Sequence, residues 1–458
     1  AAAPQAARVP PLEAVLLRFD GDEPGDWFGY SVAAVGDFDG DGVGDLAVGA
    51  HQNTNGFEGR RSQRAGYARV HSGADGALLA RFTSRDARFP NTTDGHFGIS
   101  LVACADTDGD GARELFVGSY LHDAAGQSNS GALFRFSGLD PEPSGLAYGW
   151  RGGNRLGFAL DLVRDRDGDG VADVLAGAPK EDRWCFNGGT LRVFSSRTLE
   201  ELLCIDGASF DGQMGSAAAT VGDVDGDGFD DLAGGAPYAD RDEHVPPAGA
   251  LDLNSGAFAG HADEGQVLLV SGADGATLAC WFGGERGDAL GWSVAGAGDL
   301  DGDGVPDLAA GAVQSDYAGG FRGAGYVRAW SVRDGRELFT ARGDTLGDQF
   351  GWSVAAAGDL DGDGIPDLFV GAPGAVTVSE PLGRPGRLYV LSGRDGSRLA
   401  GSWGLEVDDQ FGTAVTLVHD LDGDGVRDVL VGAPSNVPGQ TRPGYAVVLS
   451  GAWLLGAP

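Results

Sequence analysis

The sequence predicts an all-β protein, a seven-bladed β-propeller built from one repeated unit. The segment GDWFGYSVAAVGDFDGDGVGDLAVGA, residues 25–50, returns in recognisable form six more times. Glycine is very abundant, with 81 residues and no three-residue period, so it must serve turns and close backbone approaches. No stretch keeps a helical period for three turns, which argues against βαβ units and for strands alone.

The repeated unit has the length of a propeller blade. Its first acidic position recurs about every 64 residues, a spacing that suits one blade with its loops. Each unit offers four short apolar or alternating segments with glycine between them. We therefore expect residues 1–458 to form one domain of four-stranded blades, with repeat cores at residues 25–50, 94–119, 153–179, 211–237, 287–312, 347–373 and 408–434.

The two ends of the chain predict how the ring of blades closes. The segment EAVLLRFDGD from Glu13 resembles the fourth segment of a unit, ALLARFTS from Ala77. The last unit stops soon after its third segment, GYAVVLSG from Gly444. We expect the N-terminal strand to complete the seventh blade and leave no open sheet edge there.

Charge and hydropathy limit the possible partners. The chain has 67 acidic and 32 basic residues, a formal net charge of −35, which argues against nucleic acid and anionic membrane surfaces. It has no apolar run of about 18 residues, so we expect no membrane insertion. The first residues, AAAPQAARVP, fit what remains after removal of a signal peptide. We expect a monomer that is secreted, at the cell surface or periplasmic.

Each unit carries Asp-x-Asp-x-Asp-Gly-x-x-Asp, a loop rich in the hard oxygen ligands that calcium prefers, and the second unit departs from it only by having Glu114 at the last position. An EF-hand or a dockerin needs a carboxylate at loop position twelve, where the first unit has Val48, so a strand–loop–strand site is expected. We predict up to seven Ca²⁺, one per blade. The predicted ligands, including the backbone carbonyl at loop position seven, are Asp37, Asp39, Asp41, Val43, Asp45, Asp106, Asp108, Asp110, Ala112, Glu114, Asp165, Asp167, Asp169, Val171, Asp173, Asp223, Asp225, Asp227, Phe229, Asp231, Asp299, Asp301, Asp303, Val305, Asp307, Asp359, Asp361, Asp363, Ile365, Asp367, Asp420, Asp422, Asp424, Val426 and Asp428.

Two further signatures flank the acidic loop. Phe-Gly precedes the first segment, as at Phe28-Gly29, and Gly-Ala-Pro follows the second, as at Gly177-Ala178-Pro179. With the loop between them, these signatures resemble the FG-GAP repeats of integrin α-subunit propellers over nearly the whole chain. Three units depart from the pattern, with Leu156, Met214 and Leu290 in place of the aromatic residue.

The resemblance implies an extracellular, calcium-stabilised adhesion module that binds a protein or a glycan. Integrin α chains have calcium loops in only some blades and continue into leg domains and a membrane anchor. We therefore expect a stand-alone relative or an excised head. A calcium-dependent enzyme, like some polysaccharide lyases or a glycolipid-cleaving phospholipase with FG-GAP repeats, is the less favoured alternative, because no GxSxG motif or histidine metal spacing occurs.

The resemblance also implies that ligands bind the face opposite the calcium loops, where residues 237–265 form the longest insertion. Exposed aromatic and charged residues there suit protein or glycan recognition, although aromatic residues tucked beneath solvated loops are the alternative. The candidates are Tyr148, Trp150, Trp184, Tyr238, Arg241 and His244.

A second set of aromatic residues flanks the Phe-Gly signature. In integrins the equivalent ring around the central channel grips a basic side chain of the β subunit, which cation–π attraction favours. Packing inside the blades is the alternative for this set, which comprises Trp27, Phe28, Tyr30, Phe97, Phe158, Trp292, Phe350, Trp352 and Phe411.

Four cysteines fit no zinc-binding spacing. Cys185 and Cys204 bracket one hairpin, and in an oxidising compartment we expect them to form a disulfide. Cys104 and Cys280 fall in different blades and should remain thiols. Four thiols without any disulfide are the alternative.

Overall fold

The computed structural model describes residues 9–52, 66–84, 95–124, 126–183, 185–240, 251–252, 263–314, 320, 322–375, 385–435 and 442–456. Within them the chain forms seven separate sheets, each with four antiparallel strands, and the fourth sheet has one additional strand. The four strands follow one another in the sequence, except that the first strand of the chain joins the last sheet. The predicted seven-bladed β-propeller is confirmed.

The strands are short, as the repeat predicts. From the innermost strand outward, the first four blades contain Phe28–Gly36, Asp45–Ala50, Tyr67–His71 and Leu78–Thr83; Phe97–Cys104, Glu114–Ser119, Ala132–Ser137 and Gly145–Tyr148; Leu160–Val163, Asp173–Ala178, Thr190–Phe194 and Glu201–Asp206; and Ala217–Gly222, Asp231–Ala236, Gln266–Val270 and Thr277–Phe282. The last three contain Leu290–Gly298, Asp307–Ala312, Tyr326–Trp330 and Glu337–Arg342; Ser353–Gly358, Asp367–Ala372, Arg387–Leu391 and Arg398–Trp403; and Ala414–Leu417, Val429–Ala433, Tyr445–Leu449 and Val15–Asp20.

The ring is closed by the N-terminal strand, as expected. Val15–Asp20 pairs antiparallel with Tyr445–Leu449 and is the outermost strand of the seventh blade. Phe19 on this strand is buried in a cluster with residues of the first and seventh blades, such as Leu46 and Val448. The innermost strands of neighbouring blades contact one another all round the ring, including the first against the seventh.

The fourth blade differs from the others by one strand. Leu251–Asp252, within the long insertion, pairs in parallel with the outer strand Thr277–Phe282 and makes this sheet five-stranded. A two-residue parallel pairing leaves no periodic pattern in the sequence, so the repeat did not predict it. Most of the insertion lies outside the described residues.

The two glycine signatures meet between neighbouring blades. A Cβ atom on Gly49, in the second strand of the first blade, would overlap the carbonyl oxygen of Gly98, which belongs to the Phe-Gly signature of the second blade. Ser31 Oγ also donates to that carbonyl, at 2.8 Å. The glycine pair recurs at all seven blade junctions, as Gly118 with Gly157, Gly177 with Gly215, Gly235 with Gly291, Gly311 with Gly351, Gly371 with Gly412, and Gly432 with Gly29.

Regular helices are few. The described residues contain a 3-10 helix at Leu12–Ala14 and an α-helix at Gly451–Leu455, which is capped by the Ser450 side chain. Among these residues no helix has the length and apolar character needed to cross a membrane. The second strand of each blade is buried along its whole length, so the core lies within the ring of blades.

Candidate functional site

Seven acidic loops, each between the first and second strands of a blade, lie at one face of the propeller. In the first loop, Asp37 accepts hydrogen bonds from the backbone N–H groups of Gly40 at 2.7 Å and Gly42 at 2.9 Å. Asp41 accepts one from Val43 at 2.7 Å. The first aspartate makes the same pair of glycine contacts in every loop, at Asp106, Asp165, Asp223, Asp299, Asp359 and Asp420.

These N–H groups stabilise the ionised carboxylate. The glycine N–H donors lower the pKa of Asp106, Asp165 and Asp420 below the usual aspartate value. In these three loops the lowered pKa favours the ionised carboxylate, which is the form that binds a cation.

The ninth loop position is buried. Asp45 accepts backbone hydrogen bonds from Phe38 at 2.7 Å and Gly73 at 2.9 Å, so it ties the loop to the turn after the third strand. Burial raises the pKa of Asp45. Burial also raises the pKa to about 6 for the matching carboxyls, Asp173, Asp231, Asp307, Asp367 and Asp428.

Glu114 holds this position in the second blade. Its Oε2 accepts from the backbone of Thr107 at 2.8 Å, whereas its Oε1 is buried without a hydrogen-bond partner among the described residues. The extra methylene of glutamate thus leaves one carboxylate oxygen unsatisfied beside the loop.

The loops bring carboxylates close enough to share a cation. Within the described part of the chain, at least five groups of three carboxylates have oxygen atoms that lie within 4.8 Å of one another. Oxygen-only donor sets of this kind suit calcium rather than a softer metal. Five of the groups are Asp37, Asp39 and Asp41; Asp106, Asp108 and Glu114; Asp165, Asp167 and Asp173; Asp223, Asp225 and Asp227; and Asp299, Asp301 and Asp303.

A pocket of about 680 Å³ opens at the centre of the opposite face. The antiparallel order of each blade puts the start of the first strand and the end of the second strand at this face, which we call the variable face. The residue after the signature glycine lines the pocket in several blades, as Tyr30, Phe158, Trp292 and Trp352. The Trp292 and Trp352 ring centroids are 4.7 Å apart.

The aromatic residues predicted to form a ring therefore divide into two groups. Gly29 adopts a left-handed φ of 91°, and the strand register shifts between Phe28 and Ser31, so Phe28 turns into the blade while Tyr30 faces the pocket. Trp27 lies beside this ring, 6.0 Å from Tyr30. The signature phenylalanines are core residues rather than channel residues and are fully buried, at Phe28, Phe97, Phe350 and Phe411.

Three of the predicted ligand residues, Tyr148, Trp150 and Tyr238, lie within the described part of the chain. Tyr238 lines the pocket, whereas Tyr148 packs 5.9 Å from His122 as a half-buried residue. Trp150 is 58% exposed, with the guanidinium carbons of Arg151 and Arg183 at 5.2 Å and 5.3 Å from its ring. The other three predicted residues, Trp184, Arg241 and His244, lie outside the described residues.

Two cationic residues that the sequence reasoning missed line the pocket, Arg155 and Lys180. Arg155 immediately precedes Leu156-Gly157, which replaces Phe-Gly in the third blade, and it has a left-handed φ of 63°. The residue at this position is left-handed in all seven blades, at Trp27, His96, Arg155, Gln213, Ala289, Gln349 and Gln410. The position immediately before the Phe-Gly signature, or before its Leu-Gly and Met-Gly replacements, therefore lies at the variable face in every blade. Its fixed place in the repeat could have identified Arg155 from the sequence.

The predicted disulfide is wrong for this structure, which holds Cys185 and Cys204 as thiols. Cys204 Sγ lies 2.6 Å from a guanidinium nitrogen of Arg183, and Cys185 Sγ is directed to the carbonyl oxygens of Gly207 and Ser209. The two cysteines flank one hairpin, but their side chains are directed to different partners. Cys104 and Cys280 are buried thiols, as expected.

Comparison with known proteins agrees with this architecture. The FG-GAP repeat model matches residues 28–71, 214–267, 290–329, 350–391 and 411–449. The chain is 32% identical to integrin alpha pat-2 of Caenorhabditis briggsae over 243 residues, which are 50% of this chain and 19% of that protein. It is 29% identical to integrin alpha-V of Gallus gallus over 239 residues, 50% of this chain and 21% of that protein.

A third relative is integrin alpha-4 of Xenopus laevis, with 27% identity over 288 residues, 59% of this chain and 25% of that protein. The chain thus matches at most 25% of the length of these three relatives. With FG-GAP repeats and seven four-strand units joined through their signature glycines, the chain is an integrin-α-like FG-GAP β-propeller.

Proposed function

We propose that this protein is an extracellular adhesion or ligand-binding module whose acidic loops hold calcium. The observation that carries the proposal is the difference between the two faces. One face repeats the same acidic loop seven times, whereas the variable face changes in composition from blade to blade. Repeated scaffolds place recognition where the repeats differ, and the likeness to integrin α chains supports the same division.

Calcium fits the acidic loops on their own chemistry. The first aspartate accepts hydrogen bonds from two glycine N–H groups, which hold its carboxylate in place, and the ninth residue is a buried aspartate or glutamate in every blade. In the second blade the unsatisfied Oε1 of Glu114 is an oxygen that a cation would satisfy. The aspartates at loop positions one, three, five and nine would hold the ion, which would neutralise their mutual repulsion and fix both strands to the loop.

Binding rather than catalysis is proposed because the repeated carboxylates already have a structural role in the loops. A net charge of −35 disfavours nucleic acid as the partner. The proposed partner is an extracellular protein or glycan that contacts the variable face near Trp150 and Tyr238. Calcium acts indirectly by keeping the blades rigid, which lowers the cost of ordering this face on binding.

The proposal is tested in two steps. A binding screen in the presence of calcium identifies an extracellular protein or glycan partner, and the affinity of that partner is then measured for wild type and Trp150→Ala. Loss of this exposed aromatic ring should weaken partner binding about tenfold or more, since such residues dominate interface energies. Leu78→Ala is the matched control, because Leu78 is 53% exposed at the other end of the first blade. An unaffected partner whose hydrogen-exchange footprint maps to the acidic loops would contradict the proposal.

A further inference from the structure

The pocket on the variable face has two chemically different walls. Aromatic rings of the first, fifth and sixth blades form one side, with Tyr30, Trp292 and Trp352. The third blade forms the facing side, where the cations Arg155 and Lys180 lie beside the aromatic ring of Phe158. The order of blades around the ring places these two sets across the pocket from each other.

The pocket is cationic in a protein with a net charge of −35. Lys180 is the single lysine of the chain. Its Nζ lies 3.2 Å from Asp211 Oδ1, so the aspartate compensates the positive charge of the lysine. In the described part of the chain no carboxylate pairs with Arg155, whose guanidinium carbon lies 5.8 Å from the Tyr120 ring centroid. Among the described residues that line the pocket, Arg155 is therefore a positive charge without a carboxylate partner.

This charge changes the ligand that the pocket selects. A basic side chain entering among the aromatic rings would meet the Arg155 guanidinium and be repelled. A carboxylate would be attracted and would find a planar, two-pronged hydrogen-bond donor. Arg155 therefore disfavours the basic side chain that the aromatic rings by themselves would attract.

The remaining polar residues suit a hydroxylated ligand. Asn129, Asn187 and Gln213 line the same wall as Arg155, and each amide offers donors and an acceptor. Asn187 Nδ2 also donates to Asp211 at 2.8 Å, which holds its side chain in place. A sugar ring presents C–H groups on its faces and hydroxyls at its edge, so it can pack on tryptophan while hydrogen bonding to amides.

We propose that this pocket binds a carboxylate-bearing saccharide, with the carboxylate on Arg155 and the sugar ring against Trp292 and Trp352. The volume of about 680 Å³ lies within the range of about 300–1,000 Å³ for small-ligand sites. The proposal rests on the proposed function, since it names the ligand class of the variable face. An acidic peptide would supply the charge without a hydroxylated ring, so it becomes an arm of the test.

Arg155→Gln isolates the charge without threatening the fold. Gln213, Gln349 and Gln410 occupy the same left-handed position in other blades, with φ between 57° and 59°. The matched control is Arg286→Gln, which removes an exposed arginine of the loop before the fifth blade that does not line the pocket. Trp352→Ala removes ring stacking and leaves the charge.

The measurement is NMR of full-length protein carrying a ¹³C-dimethyl label on Lys180, with affinities from calorimetry. The probes are oligogalacturonate and its methyl ester, 3′-sialyllactose and lactose, a poly-glutamate peptide and an arginine peptide. At least one acidic saccharide should shift the Lys180 signal and bind about tenfold or more tighter than its neutral counterpart. The uronate and sialate arms identify which acid is bound.

Arg155→Gln should abolish that preference, Arg286→Gln should preserve it, and Trp352→Ala should weaken the acidic and neutral saccharides alike. Equal binding of the neutral saccharides, preference for either peptide, or no saccharide binding at all would overturn the proposal. If, in that case, Trp150→Ala still weakens the binding of a protein partner, the proposed function remains supported. Failure of every partner on the variable face would instead overturn the proposed function.

Discussion

At the scale of single residues, the left-handed position before the Phe-Gly signature sets the chemistry of the variable face. In the second blade this residue is His96, whose Nδ1 lies 2.9 Å from Nδ1 of His51 in the first blade. Only one of the two nitrogens can carry the bridging proton, so the pair is stable with both rings neutral. Burial lowers the pKa of His96 to about 4, with a further contribution from Arg155. Burial also holds the pKa of His51 well below its usual value.

This burial predicts that acid destabilises the protein through His96. The folded-state pKa lies below the unfolded value, so the unfolded chain gains a proton first and stability is lost as pH falls from about 6.5 towards 4. Between pH 7 and pH 5 the loss from His96 is roughly 2 kcal/mol. His96→Gln, which places a residue found at this position in other blades, should reduce the pH-dependent loss by that amount.

Urea unfolding of both proteins at pH 7 and pH 5, with saturating calcium, measures the difference. The carboxylates titrate alike in the two proteins, so their effect cancels. The same pH dependence in wild type and His96→Gln would show that this histidine does not take part.

At the scale of strands and blades, the repeat signatures act at the junctions between neighbours. The second-strand glycine of one blade packs on the carbonyl of the signature glycine of the next blade at all seven junctions, where a side chain would overlap that carbonyl. The junction between the seventh and first blades uses Gly432 and Gly29 in the same way, although they are far apart in sequence. The closure of the ring therefore uses the same contact as every internal junction.

Gly371→Ala should destabilise the protein by about 1–3 kcal/mol, because the added methyl group overlaps the backbone of Gly412 in the seventh blade. Gly284→Ala is the control, since its nearest atom would lie 3.8 Å away and neither glycine has a positive φ. The control should stay within about 0.5 kcal/mol of wild type. Equal unfolding free energies for the two variants would contradict a steric role for the junction glycines.

The sequence predicted the blades well because the acidic loop and the glycine signatures repeat with fixed spacing. The sequence did not predict that Phe28 lies in the core of the blade while Tyr30 faces the pocket. The bulge at Gly29 directs the two side chains to these different places, and it leaves no alternating pattern in the sequence. The thiols of Cys185 and Cys204 were misjudged because hairpin position does not give side-chain direction. Arg155 reaches the pocket through a left-handed backbone conformation that residue type alone does not reveal.

At the scale of the whole molecule, charge is divided between the two faces. The acidic loops gather carboxylates on one face, whereas the pocket on the other carries Arg155 and Lys180. Without bound cations the loop carboxylates repel one another, and burial already raises the pKa of those at the ninth position. The stability of the propeller should therefore depend on the ion that the loops hold.

Thermal unfolding as a function of free calcium measures this dependence. Each site that binds only in the folded state adds about 2.7 kcal/mol when calcium is at about 100 times its Kd, so the melting temperature should rise steadily with calcium. Magnesium at equal concentration should stabilise less, because it demands a stricter geometry and gives up water reluctantly. A chelator should reverse the calcium effect. A melting temperature that is the same in chelator and in millimolar calcium would contradict the account.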